Sequence, residues 1–140
     1  MALPQSYPKE FIEPIRRQLQ EKNIRELLTP EDVTDCIAQE QVLILINSVC
    51  GCAARNARPA LFALQGRFPQ LSLATVFAGV HRDATQALRD HISHPPSSPS
   101  FALFEKGVLV GFLPRDKIEG SDTQTVVEHV HTLLTGPRGI

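Results

Sequence analysis

Two of the protein's three cysteines stand one residue apart, at Cys50 and Cys52, with Gly51 between them. Thiols this close are suited to disulfide exchange, in which a thiolate attacks one sulfur of a disulfide and expels the other through a mixed-disulfide intermediate. The flanking residues favour that chemistry. The run 42–46 before the pair is short, branched and free of polar interruption, as a buried strand would be, and Ala53, Ala54 and Arg55 after it are good helix formers. The cysteines are therefore expected in the first turn of a helix. Unpaired amide donors and the positive helix end favour an anion there, and the reactive form of cysteine is the anionic thiolate. Cys50, at the entrance, is the expected nucleophile, its thiol pKa lowered by the helix end and by Arg55 or Arg58.

The two-residue spacing also shapes the disulfide. In helical geometry the two Cα atoms lie about 5.5 Å apart, inside the usual disulfide window of about 4.4–6.8 Å, while the Cβ directions diverge by about 200°. Closing the ring demands local distortion, which the side-chain-free Gly51 best permits. A disulfide strained in this way is easily reduced. Such a pair suits removal of a small-thiol adduct from a protein: Cys50 attacks the adduct, releases the client thiol and keeps the small thiol, and free small thiol or Cys52 then clears Cys50.

The elements that must hold this pair follow from periodicity. Residues 9–22 carry Phe11, Ile12, Ile15 and Leu19 at helical spacing, with Pro14 expected to interrupt them. A short edge strand is expected at 24–28. Thr29-Pro30-Glu31-Asp32 then marks a helix start, from which a helix should run to Gln39 with Val33, Cys36 and Ile37 on its buried face. In that position Cys36 is a small core residue. The cysteine helix should extend to Gln65 and kink at Pro59. A second apolar strand spans 73–78, and a helix follows through Asp83, Ala84, Leu88 and Ile92 to the breaker cluster 93–99. Residues 101–105 and 108–113 read as a hairpin turning at Lys106-Gly107, and Asp122 opens a last helix that Gly136-Pro137 stops. This order predicts a single α/β domain over 1–140, with a mixed sheet, parallel at first and antiparallel at one edge, covered by helices on both faces.

A dithiol at a strand-to-helix junction and a proline just before the third long strand are the layout of the thioredoxin fold. The runs 47–54 and 57–60, the strand end Val76-Phe77-Ala78-Gly79, the element Ser97-Ser98-Pro99-Ser100, and Pro114-Arg115 with Ile118-Glu119-Gly120 resemble the bacilliredoxins. These are thioredoxin-like proteins that remove bacillithiol from mixed disulfides. The resemblance covers almost the whole chain and implies a three-layer α/β/α sandwich with an N-terminal helical extension. It implies Cys50 as attacking cysteine, Cys52 as its partner, and Pro99 as a cis-proline facing the dithiol. Gly51, Ser98 and Arg58 would support the site. The implied partners are bacillithiolated client proteins and the low-molecular-weight thiol, with bacillithiol as co-substrate and no resident cofactor. The chain differs from the family pattern at Arg55-Asn56 and Val80-His81, positions that bear on substrate preference. A strand led by Pro99 would also offer backbone with which an extended client segment could pair.

Composition narrows the alternatives. With 14 basic and 15 acidic residues, a formal charge of −1 and no basic block, the chain recommends neither nucleic acid nor a membrane surface as partner. The first eight residues lack the layout of a secretory signal, and no apolar run approaches the roughly 18 residues of a membrane span, so a cytoplasmic protein is expected. An odd cysteine count argues against a structural disulfide framework. A metal site is not expected, since the five histidines supply no spacing that completes four ligands around Cys50 and Cys52. Arg115 and Glu119 read equally well as solvated turn charges. A protein disulfide isomerase is the competing enzymatic reading. A non-catalytic adaptor of thioredoxin fold and a metal or iron-sulfur carrier are the competitors from other classes, and nothing in the sequence selects an oligomeric state.

Overall fold

The structure, a computed structural model, describes residues 9–49 and 53–136. The Cys50-Gly51-Cys52 motif, residues 1–8 and Pro137 lie outside the described residues. Along the chain come α1 (Lys9–Glu21), β1 (Arg25–Glu26), α2 (Pro30–Ile37) and β2 (Val42–Asn47), then a π-helical turn (Ala53–Ala57) that runs into α3 (Arg58–Arg67). They are followed by β3 (Ser72–Phe77), α4 (Arg82–Arg89), β4 (Ser100–Glu105), β5 (Val108–Leu113), a 3-10 turn (Arg115–Lys117) and α5 (Thr123–Thr135).

The sheet order is β1-β3-β2-β4-β5. β1 and β2 run parallel to β3, while β4 is antiparallel to β2 and β5 is antiparallel to β4. β2 is the middle strand, and all six of its residues are buried, which explains an apolar run without alternation. Its two faces nevertheless serve different cores. Leu43 and Leu45 pack with Leu61 and Leu64 of α3 and Val126 and Val130 of α5; Val42, Ile44 and Ile46 pack with Val33 and Ile37 of α2 and Ala84 and Leu88 of α4. The result is the three-layer arrangement expected, with α1 added through Leu19 to the α3–α5 side.

Local signals act as anticipated at several joints. Thr29 caps α2 by accepting from the Asp32 amide, and the Asp32 carboxylate accepts from the Thr29 amide in return. The helix ends at Ile37, about where expected, and the Gln39 amide and side chain both donate to the Cys36 carbonyl, at 3.3 and 2.9 Å. Lys106 and Gly107 both take positive φ, 53° and 85°, as a two-residue hairpin turn between twisted strands requires.

Two proline expectations are corrected. α1 runs unbroken through Pro14. The carbonyl that Pro14 leaves without a helical donor belongs to Glu10, which is exposed in the first turn and open to water. Pro59 does not kink the middle of a long helix; it lies in the first turn of α3, and a π-helical turn precedes it. An α-helical ladder would need a proline N–H to serve the Arg55 carbonyl, and that acceptor is instead met by the Thr123 hydroxyl of α5 at 2.9 Å.

Candidate active site

The site is built where β2 ends. Asn47, its last residue, is fully buried, and its Oδ1 accepts from the Ser48 amide at 2.9 Å and from Arg58 Nη1 at 3.2 Å. With two donors on that oxygen the amide orientation is fixed, and Asn47 Nδ2 is buried without an acceptor among the described residues. Arg58 also donates to the Ser48 carbonyl, at 3.0 Å, from a side chain only 8% exposed. The first residue of α3 thus reaches back and ties down the segment that leads into Cys50. The tie carries the buried guanidinium up against that segment. Arg55, the other candidate for that role, is exposed on the π-helical turn.

The next residue of that turn was not singled out for a structural role, and it anchors the turn. Asn56 is buried, and its Nδ2 donates to the Ile118 carbonyl at 3.1 Å and to the Ser121 carbonyl at 2.6 Å. With the Thr123–Arg55 bond, this fixes the turn to the loop before α5. Turns of π type recur where proteins build function.

Strand register brings the Ser97-Ser98-Pro99 element to the same place. β2 and β4 pair antiparallel up to Ile46 with Ser100, so Pro99 directly precedes the end of that ladder, as Asn47 directly follows it on β2. On the other side, β4 and β5 pair from Phe101 with Leu113, and the 3-10 turn that follows β5 brings Arg115 against Ser97 and Ser98. The Ser98–Pro99 peptide bond is cis, and Pro99 is buried. The carbonyls ahead of it are engaged from within the protein. The Ser97 carbonyl accepts from Ser100 Oγ at 2.9 Å, and the Ser98 carbonyl accepts from Arg115 Nη1 at 3.2 Å. The Arg115 amide donates to Ser97 Oγ at 3.3 Å, and its Nη2 lies 3.5 Å from Glu119 Oε2.

Cys36 is the one cysteine among the described residues, and it is fully buried in α2, as expected of a core residue. Burial pushes its thiol above the ordinary range, which suppresses the thiolate and leaves it chemically quiet.

A family model described as disulphide isomerase matches residues 7–136. A bacilliredoxin of Halalkalibacterium halodurans is 43% identical over 131 residues, covering 90% of each chain. The chain belongs to the bacilliredoxin family. A further bacilliredoxin, from Staphylococcus haemolyticus, is 40% identical over 128 residues, covering 87% of this chain and 89% of that one. Among solved structures, oxidised thioredoxin from Plasmodium falciparum superposes with a TM-score of 0.60 at 15% identity, covering 78% of this chain and 96% of that one. Mitochondrial thioredoxin 3 from Saccharomyces cerevisiae superposes with a TM-score of 0.58 at 15% identity, covering 79% and 93%. The fold is thioredoxin-like, and the bacilliredoxin is a thiol-disulfide oxidoreductase.

Of the residues expected at the site, Arg58 bonds to Asn47 and Ser48 at the end of β2, and Ser98 and Pro99 form the cis peptide directly ahead of β4; Cys50, Gly51 and Cys52 lie outside the described residues. Asn47 escaped sequence reasoning as a site residue, and Asn56, marked there only as a departure from the family pattern, escaped it as an anchor. Asn47 carried a readable signal, since a lone amide closing an otherwise apolar buried strand must find polar partners. Asn56 carried none, because both its acceptors come from residues more than 60 positions away. Among the described residues no helix is long and apolar enough to cross a membrane.

Proposed function

We propose that this protein removes bacillithiol from mixed disulfides on client proteins, with Cys50 as nucleophile and Cys52 as its partner. The observation that carries the reading is the near full-length identity to bacilliredoxins, 43% over 90% of both chains. The setting of the motif supports it, since Cys50-Gly51-Cys52 falls between a segment held by the buried Arg58 guanidinium and a π-helical turn anchored by Asn56.

In the first step the Cys50 thiolate attacks the bacillithiol sulfur of the client mixed disulfide. A sulfur–sulfur bond forms between Cys50 and bacillithiol, the old one breaks, and the client sulfur leaves with the electron pair and takes up a proton. A free bacillithiol thiolate then attacks the bacillithiol sulfur held on Cys50, which yields bacillithiol disulfide and restores the Cys50 thiolate. Alternatively Cys52 attacks the Cys50 sulfur, expels bacillithiol and leaves a Cys50–Cys52 disulfide for an external thiol to reduce. The Arg58 cation beneath the preceding segment favours the anionic form of the nucleophile. No cofactor enters either route.

The name of the matching family model favours a second reading, isomerisation of protein disulfides. One experiment separates the two. Wild type, Cys50→Ser and Cys52→Ser are offered a bacillithiol-capped client, a glutathione-capped client and a scrambled-disulfide protein. The proposal expects turnover of the bacillithiol-capped client, lost in Cys50→Ser and kept in Cys52→Ser if free thiol does the resolving. Preferential refolding of the scrambled protein supports the isomerase instead, and equal activity of all three proteins sinks both.

A further inference from the structure

The Pro99 element was expected to offer free backbone to an extended client. In the structure its acceptors are already engaged by the protein's own side chains: Ser100 Oγ on the Ser97 carbonyl at 2.9 Å and Arg115 Nη1 on the Ser98 carbonyl at 3.2 Å. Arg89 Nη2 also reaches the Ser97 carbonyl, at 3.5 Å. Arg115 is held on both sides, its amide bonded to Ser97 Oγ and its other terminal nitrogen drawn to Glu119.

We propose that Arg115 is a specificity-determining residue that caps the Ser98 acceptor against strand-like polypeptides and biases the site toward small-thiol adducts. A polypeptide that docks by strand addition draws its affinity from main-chain hydrogen bonds, and the amide it would donate to Ser98 meets a guanidinium there. A small thiol needs no such bond. Beside Ser97 lies a groove of about 420 Å³, lined by the stacked rings of His94 and Phe112, by Pro95 and Pro114, and by Arg115 and Glu119 themselves. That volume falls within the small-molecule range of about 300–1,000 Å³. Arg115 acts here through the Ser98 carbonyl and not on the reacting sulfurs. Glu119 positions it, which gives both turn charges a use beyond solvation.

The inference rests on the oxidoreductase reading above and is tested on a different quantity, the KM for insulin, whose disulfides lie in polypeptide. Wild type, Arg115→Ala, Arg115→Lys and Glu119→Gln are compared on insulin reduction and on a bacillithiol-capped client. Release of one competing hydrogen bond should lower the insulin KM of Arg115→Ala by about three- to tenfold and raise its preference for insulin over the capped client accordingly. Glu119→Gln should move the same way by less, and Arg115→Lys, which can still donate to Ser98, should return toward wild type. Should Arg115→Ala fail to fold, the Glu119→Gln and Arg115→Lys pair carries the comparison. An insulin KM that stays within about twofold of wild type or rises overturns the inference, as does insulin left untouched by all four proteins. A wild type inert on the capped client but active on insulin would instead count against the bacillithiol reading and leave the role of Arg115 readable.

Discussion

The Thr123 hydroxyl donates to the Arg55 carbonyl at 2.9 Å, joining the start of α5 to the turn that follows the dithiol. That carbonyl is the one an α-helical ladder would assign to the N–H of residue 59, and residue 59 is a proline. Thr123→Val preserves shape and removes the donor. Because Arg55 is exposed, water replaces part of the bond, and a loss of about 1 kcal/mol is expected. The change should appear as a lower urea midpoint with an unchanged slope. A midpoint equal to wild type would mean that water alone satisfies the carbonyl.

The same joint explains how far the sequence could be read. β2, α2, the hairpin and α5 were legible because each announces itself locally: a branched apolar run, a capping box at Thr29, the Lys106-Gly107 turn, and Asp122 accepting from the Thr125 amide. The π-helical turn was not legible, since Ala53, Ala54 and Arg55 favour an α-helix and the Arg55 carbonyl meets its donor on α5, 68 positions along the chain. Pro14 misled for the converse reason. Its missing N–H matters little beside an exposed first turn, and exposure is a tertiary property. At the site, the thiols and the proline are visible as residue types, whereas the hold of Arg58 on Asn47 and of Arg115 on Ser98 spans 11 and 17 positions and depends on the register of the sheet.

Asn56 provides a sharper test of that turn. Its amide donates to two carbonyls, so Asn56→Asp replaces a donor with an acceptor at nearly constant shape. At neutral pH the variant should lose about 3 kcal/mol, one buried and one half-buried acceptor being stripped and a carboxylate set against them. A protonated carboxyl can donate once, so the folded state favours the acid form and the deficit should shrink as pH falls from about 7 toward 4. Denaturant titrations across that range decide it; a deficit independent of pH would show that the amide is not acting as a donor.

Arg58 couples stability to reactivity. Arg58→Met removes the guanidinium from Asn47 Oδ1 and the Ser48 carbonyl and should cost about 2 kcal/mol, as loss of charged donors to buried acceptors does. It should also raise the pH at which the Cys50 thiolate forms, followed by ultraviolet thiolate absorbance. Arg58→Lys keeps the charge but not the fork, so it should recover the titration more fully than the stability. Coincident titration curves in all three proteins would remove Arg58 from the electrostatics of the site.

His81, just before α4, sets a pH limit of its own. Burial holds its imidazole below the ordinary value of 6.5, Arg16 pushes in the same direction, and Glu26 opposes them. Arg16 Nη2 is bonded to Glu26 Oε1 at 3.0 Å, so the carboxylate is shared with a cation and relieves the histidine little, and His81 Nδ1 is buried without a partner among the described residues. A histidine whose folded pKa lies below its unfolded one binds its proton more readily when unfolded. Stability is therefore full above about pH 6.5 and declines as pH falls below it. Glu26, whose carboxyl the folded state holds below its ordinary range, contributes its own loss only further into acid. His81→Gln removes the first of these titrations, so its urea midpoint should fall less than that of wild type between pH 7.5 and 5, both ends being chosen to bracket the ordinary histidine range of about 6.5. If the two proteins lose stability in parallel over that interval, the imidazole is not the group that titrates.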